Sequence, residues 1–320
     1  MDENILKNIP GIDAAQTITT IDAEQLTPKM FIEYFVSNNR PCLIKGAVKH
    51  WPAIKKWRDP DYLKAKCGDS PTTYYPHMNY DHTDNMKVDE TVKPFSFVLD
   101  ILCHPSSDIT SAPSLMFDKP PFLALAKDVA GFSFLPSPPK PLLYPASRSF
   151  MYKGAGTGWH YHFVDETLMC QVIGSKKVGL LPPDTETDNI VYDAFTTDAY
   201  LSNGDCFDPT TASKLKPMLA IVEPGDALYI PPFWWHGVET IGSSFGITVA
   251  NCWRSPLHVM GDLSFPTVRK IWKKSLTRPN KRTPFVLALG ISSLLMQSVR
   301  FIFNSRARKT KNVVEEGQGL

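Results

Sequence analysis

Residues 154–174, GAGTGWHYHFVDETLMCQVIG, decide how this chain is read. The stretch closes on TLMCQVIG (167–174), an apolar run ended by glycine, which reads as a strand leaving for a turn. At its centre, His160 and His162 stand two residues apart. On a strand, residues two apart face the same way, so both imidazoles enter the same space. Two neighbouring imidazoles are costly to bury unless they bind something, and a divalent metal is the common partner. Asp165 and Glu166, expected in the turn that follows, are candidate carboxylate ligands.

Outward from this stretch the text keeps one character. SFMYKG (149–154), KKVGLLPP (176–183), MLAIVEPG (218–225), DALYIPP (226–232) and SFGITVANCW (244–253) are short β-rich runs ended mostly by Gly or Pro. With no helical period between them, they predict a mainly β, double-stranded β-helix (jelly roll) rather than a βαβ fold. His236 lies in IPPFWWHGVE (230–239), just past an expected strand, between Trp235 and Gly237. Flanking tryptophans would keep a metal site dry. A histidine taken singly is more often a surface or satisfied core residue, and His50, His77, His82, His104 and His258 are read that way. The conjunction of His160, His162 and His236 with the strand pattern is what points to a metal. The polar stretch 184–216 reads as an insertion at the barrel mouth.

Upstream, Thr27 followed by Pro28 is an N-cap and first-turn pair, and Phe31, Tyr34 and Phe35 are expected on one helix face. RPCLIKGAVKHWPAIKKW (40–57) supplies a short strand and a Gly turn. From 60 to 147 periodicity is weak, and PSPPKP (136–141) predicts irregular connections. The expected organisation is an N-terminal tail over 1–19, helical N-terminal elements over 20–147, a metal-binding core over 148–262 and a C-terminal segment over 263–320.

The 28 prolines exceed the usual share and favour strands and loops over long helices. The six cysteines are scattered without a CxxC pair, and the opening MDENILKNIPG is polar, unlike a signal peptide. These features predict free thiols and a cytoplasmic or nuclear setting. The net charge of +2 hides a split: residues 263–320 carry twelve Lys/Arg against Glu315 and Glu316, so the body is acidic. An acidic body excludes a general phosphate-binding surface, whereas the basic tail can meet RNA or anionic lipid. Within that tail, FVLALGISSLLMQSVRFIF (285–303) is near the length of a bilayer span but is interrupted by Ser, Gln and Arg. It is expected to serve as a homodimer or docking helix or as a membrane contact.

Several phrases carry a more specific likeness. The Gly, His-x-His, Glu and Gly of 154–174 resemble a first cupin motif, and GDALYIPPFWWH (225–236) resembles a second. QVIGSKKVGLLPP, PGDALYIPPFWWH and VANCW are similar to phrases of the JmjC (cupin-like) oxygenases. Their nearest group includes the hypoxia-inducible-factor asparaginyl hydroxylase and the tRNA wybutosine hydroxylase. RPCLIKGAVKHWPA resembles that group's N-terminal signature, so the likeness spans roughly 20–257. It implies an Fe(II) centre with 2-oxoglutarate as cosubstrate, and a protein side chain or other macromolecule as substrate rather than a small molecule. By position it implies iron ligands at His160 and His236 and cosubstrate contacts from Thr157 and Lys176. Asn251 and Trp253 are implied beside the metal and cosubstrate.

One position departs from the family. Where it has Asp or Glu, completing a two-histidine, one-carboxylate face, this chain has His162, with one extra residue before Gly174. Three outcomes follow: His162 replaces the carboxylate, Asp165 or Glu166 swings in as the anionic ligand, or catalysis is lost. The alternatives to a 2-oxoglutarate oxygenase are therefore a three-histidine dioxygenase independent of that cosubstrate and a silent binding protein. No counterpart of the family's cosubstrate tyrosine stands near 114–118, which leaves Tyr152 and Tyr161 as candidates.

Overall fold

Short strands each bury one face only when stacked on a second layer, and this chain stacks them into two sheets. The computed structural model describes residues 15–76, 91–107, 110–185, 198–200, 215–242, 244–256, 260–277 and 283–298, with Leu6, Ile12, Pro279 and Lys281. Among these residues the N-terminal strands are β1 (Gln16–Thr17), β2 (Thr20–Asp22), β3 (Cys42–Lys45), β4 (Pro71–Pro76), β5 (Thr91–Pro94) and β6 (Thr110–Met116). Then come β7 (Ser147–Lys153), β8 (Thr157–His162), β9 (Asp165–Ile173), β10 (Ser175–Leu181) and β11 (Asp198–Tyr200). The last are β12 (Met218–Val222), β13 (Ala227–Ile230), β14 (Trp235–Ile241) and β15 (Phe245–Arg254).

A six-stranded sheet runs β1-β12-β10-β14-β8-β11, and a nine-stranded sheet runs β2-β3-β13-β9-β15-β7-β6-β4-β5. From β7 to β10, and again from β12 to β15, consecutive strands alternate between the sheets, the connectivity of a mainly β jelly roll. The two inner faces meet in one apolar cluster. Leu43, Met169, Leu228 and Ile230 come from the larger sheet, and Val178, Leu180, Val222 and Val238 from the smaller.

The outer face of the nine-stranded sheet is buried too. Leu168, Cys170, Val172, Tyr229, Val249 and Trp253 join an aromatic core with Phe31, Trp57, Phe95 and Phe134. That core is closed by α1 (Pro28–Met30) running into a π-helical Phe31–Val36, and by α2 (Pro52–Lys56), α3 (Pro60–Cys67) and α4 (Phe95–Cys103). Thr27 caps α1 by accepting from the Met30 amide at 3.2 Å. The wider π turn changes the face: Phe31 and Phe35 are buried, but Tyr34 is 59% exposed. The weakly patterned 60–147 region is richer than expected, with two helices, three strands and a short 3-10 turn (Phe122–Asp128) among its described residues. Their burial against the sheet replaces the missing periodicity.

Residues 255–320 cluster as a second unit, beginning just before the expected boundary at 263. There α5 (Pro266–Thr277) packs on the helix over 283–298. A Cβ on Gly290 would sit 2.3 Å from the Trp272 ring, so only glycine permits that approach. The Gly261 amide donates to Ser293 Oγ at 2.7 Å. Residues 299–303 of the apolar run lie outside the described residues, as does most of 184–216. Among the described residues no helix is long and apolar enough to cross a membrane.

Candidate metal centre

β8 and β14 are antiparallel neighbours, and their register sets His236 directly opposite His160. His162, two residues along β8, shares the face of His160. The three rings are buried, with exposures of 8%, 8% and 3% in chain order. Ring centroids lie 4.1 Å apart for His160–His236, 5.0 Å for His162–His236 and 5.1 Å for His160–His162. One ligand nitrogen from each falls within 4.8 Å of the others. An ion about 2.1 Å from each nitrogen needs only a small closure of these side chains.

Hydrogen bonds fix the rings. His160 Nδ1 lies 2.9 Å from Gly158 O and His236 Nδ1 lies 2.9 Å from Trp234 O. A carbonyl can only accept, so both Nδ1 atoms carry the proton and Nε2 carries the lone pair a metal needs. His162 Nδ1 meets Thr167 Oγ1 at 3.1 Å. Burial, then the charges of His160 and Arg148, hold the His162 pKa well below its ordinary value. The neutral imidazole is the ligating form, so the donor set suits a divalent cation.

The far side of the six-stranded sheet is sealed by aromatics. Tyr161 meets Trp235 edge-on at 4.6 Å and Phe233 at 5.6 Å. Trp159 lies so close that a Cβ on Gly237 would stand 2.9 Å from its ring. His236 is therefore followed by glycine for a packing reason.

Across the barrel, β7 presents Arg148, Phe150 and Tyr152 on its inner side, because Met151 belongs to the outer core. Lys176 of β10 reaches from the opposite sheet to 4.1 Å from the centre of the Tyr152 ring. It is 6% exposed, and no described carboxylate lies within ion-pair distance of it. Burial lowers its pKa to about 7. Gln171 Nε2 donates to Tyr152 Oη at 2.7 Å, and Thr248 Oγ1 donates to Gln171 Oε1 at 2.8 Å. Burial pushes the Tyr152 hydroxyl up to about 12, so it stays protonated.

At the His162 end, Tyr144 packs 5.1 Å from the His162 ring. Its loop is tied down by Asp165, whose carboxylate accepts from the amides of Leu142, Leu143 and Tyr144 at 2.8–3.0 Å. Asp165 is thus spent on backbone donors.

The structure brings His160, His162 and His236 together and places Lys176 in the same interior. Thr157 opens β8 opposite Val238, across a register shift. Glu166, Asn251 and Trp253 are corrected by strand parity. β9 begins at Asp165 without the expected turn, so Thr167 and Gln171 face inward while Glu166 joins the outer face. There Glu166 Oε2 accepts from Tyr229 Oη at 2.7 Å. Trp253 stacks on Tyr229 at 6.0 Å, and Asn251 Nδ2 donates to Cys170 Sγ at 3.6 Å. Among the described residues the candidate ligand group holds histidines alone. Of the two tyrosine candidates, Tyr152 faces the interior and Tyr161 the sealed back. Sequence reasoning missed Arg148, Tyr144 and Thr167. The only signal was the two-residue spacing of Arg148, Phe150 and Tyr152 before a glycine.

A family model described as "Cupin-like domain" matches residues 28–258. Jumonji C domain-containing protein 5 of Drosophila melanogaster is 26% identical over 75% of this chain and 59% of its own. The bifunctional peptidase and (3S)-lysyl hydroxylase JMJD7 of Homo sapiens is 28% identical over 71% of this chain and 81% of its own. Lysine-specific demethylase JMJ30 of Arabidopsis thaliana is 26% identical over 68% of this chain and 51% of its own. The chain thus spans little more than half the length of the first and third of these relatives.

Proposed function

This chain belongs to the cupin-like JmjC family, and from that premise we propose that it is an Fe(II)- and 2-oxoglutarate-dependent oxygenase acting on a protein side chain. The observation that carries the reading is a buried three-imidazole face sharing one interior with an unneutralised Lys176. A buried ammonium without a counter-ion is costly, and a dicarboxylate relieves that cost. Relatives named as a lysyl hydroxylase and a lysine-specific demethylase favour a protein substrate.

His160, His162 and His236 would hold the ion. With 2-oxoglutarate and dioxygen, that centre supplies conversion of a substrate C–H to C–OH, releasing succinate and carbon dioxide. Lys176 binds the far carboxylate of the cosubstrate. Its Cα stands opposite Thr240, four residues or about 13 Å along the strand from His236. A lysine stem plus a five-carbon dicarboxylate fills that gap. Tyr152, kept protonated and oriented by Gln171, donates a hydrogen bond at the same end. Thr167 orients His162, and the Trp235–Tyr161–Phe233 wall excludes water.

The test is calorimetry of 2-oxoglutarate on the ion-loaded full chain, followed by succinate release. Binding that Lys176→Met abolishes supports the reading, and absence of binding to the unaltered protein defeats it. A second reading has a specific observation in its favour, the histidine-only ligand group. It is a three-histidine dioxygenase that uses no 2-oxoglutarate, and it requires that Lys176→Met leave activity intact. A chain that holds no ion at all works as a binding protein.

A further inference from the structure

Lys176 is not the only cation facing this interior without a described counter-ion. Arg148 lies on the inner side of β7, four residues or about 13 Å along the strand from Tyr152. Its guanidinium lies over two rings, 5.2 Å from the Tyr144 centroid and 5.1 Å from that of Phe150. Tyr144 in turn touches the His162 ring, so this contact stands beside the three histidines.

A guanidinium has five donors and no acceptor. Arg148 as a whole is half-buried, but its Nε is buried without a hydrogen-bond partner, and no described carboxylate pairs with the group. An arginine kept for stability is normally paired, because leaving a buried donor unmet costs about 1–3 kcal/mol. Stacking on two rings holds the plane of the fork, and a planar fork matches a carboxylate. Three anchoring hydrogen bonds from the Tyr144 loop to Asp165 keep that ring in place. The pocket is thus a preorganised anion receptor at the opposite end from Lys176.

We propose that Arg148 is a specificity-determining residue: it receives the carboxylate of an aspartate or glutamate that the protein substrate presents beside the metal centre. This rests on the oxygenase reading and names its substrate class. One five-carbon cosubstrate anchored at Lys176 and at the ion leaves the Arg148 end to a second anion. Recognition is confined to a single acidic side chain. Residues 1–262 carry 22 basic and 30 acidic groups, so a long acidic segment would be repelled.

The probes are N-acetyl-aspartate methylamide and N-acetyl-asparagine methylamide, isosteres that differ in charge. Their binding to the full chain is read by saturation-transfer NMR, with and without Co(II) and 2-oxoglutarate. The expected result is at least tenfold tighter binding of the aspartate probe to the unaltered protein. Arg148→Gln should erase that preference, Arg148→Lys should keep part of it, and Lys176→Met should leave it intact. Equal binding of the two probes, or no binding of either at millimolar concentration, overturns the proposal. So does an Arg148→Gln variant whose loss falls on 2-oxoglutarate affinity instead, since Arg148 would then serve the cosubstrate. If Arg148→Gln does not fold, the probe pair on the unaltered protein and Arg148→Lys decide the matter. Failure of 2-oxoglutarate to bind would sink the oxygenase reading but leave the probe comparison standing.

Discussion

The two faces of β9 bury polar groups under opposite conditions. Outward, Glu166 is fully buried beneath the helical layer, and its carboxylate is met by the Tyr229 hydroxyl. The consequence is visible in Tyr229, whose pKa is pushed well up by burial and by the adjacent carboxylate. Inward, Thr167 and Gln171 line a space in which two cations, Lys176 and Arg148, have no described counter-ion. A buried polar group with an internal partner belongs to the stability of the fold. One without a partner stores an unmet interaction that a ligand can satisfy. The same strand therefore separates scaffold from site.

Substitutions on the two faces should part accordingly. The largest effect is expected from His160→Ala, which should weaken Co(II) or Fe(II) binding by a thousandfold, about 4 kcal/mol. Its thermal stability without metal should be little changed, and anaerobic metal titration beside a melting curve checks both. Glu166→Ala should do the reverse. Loss of the Tyr229 bond and a new void should cost about 3 kcal/mol of stability in urea unfolding. Its metal stoichiometry should be unaltered, and loss of metal would instead return Glu166 to the ligand set.

Lys176→Met sharpens the contrast through pH. The folded pKa of about 7 lies below the ordinary lysine value of 10.5. Between those values the unfolded chain holds the proton that the folded chain has released, so native stability rises with pH across that window. Below pH 7 the full cost of burying the ammonium is present. Lys176→Met should therefore stabilise the ligand-free protein at pH 6, on the order of 2 kcal/mol, with the gain shrinking towards pH 10. A gain that does not vary with pH would show that the ammonium is already neutralised. The smallest effect is expected from Thr167→Val, which removes the partner of His162 Nδ1. About tenfold weaker metal binding is expected, with stability changed by less than 1 kcal/mol.

Much of this was legible in the residues. The strand runs from 149 to 253 fall where the β-rich text put them, because apolar runs bounded by Gly and Pro have few other ways to bury themselves. The pairing of His160 with His162 follows from the two-residue period. His236 was placed just past a strand, and it is the second residue of β14. The misplacements share a cause. Asn251, Trp253 and Glu166 were assigned by motif position, yet which face each occupies depends on register. β15 shifts its register against β9 between Ile247 and Thr248, and β9 starts without the expected turn. A shift of one residue exchanges the two faces of a strand.

By itself the sequence determined the class of fold, the strands from 149 to 253, the residue types of the candidate metal site and the presence of a lysine two residues beyond Gly174. Those features depend on local composition and short periods, which act within a few residues. Tertiary structure alone decided which side chains share the interior: that His236 stands opposite His160, that Glu166 turns to Tyr229, and that Arg148 meets the Tyr144 ring beside His162. Those outcomes depend on pairings between strands tens of residues apart, and on which buried charge finds a partner once they are paired.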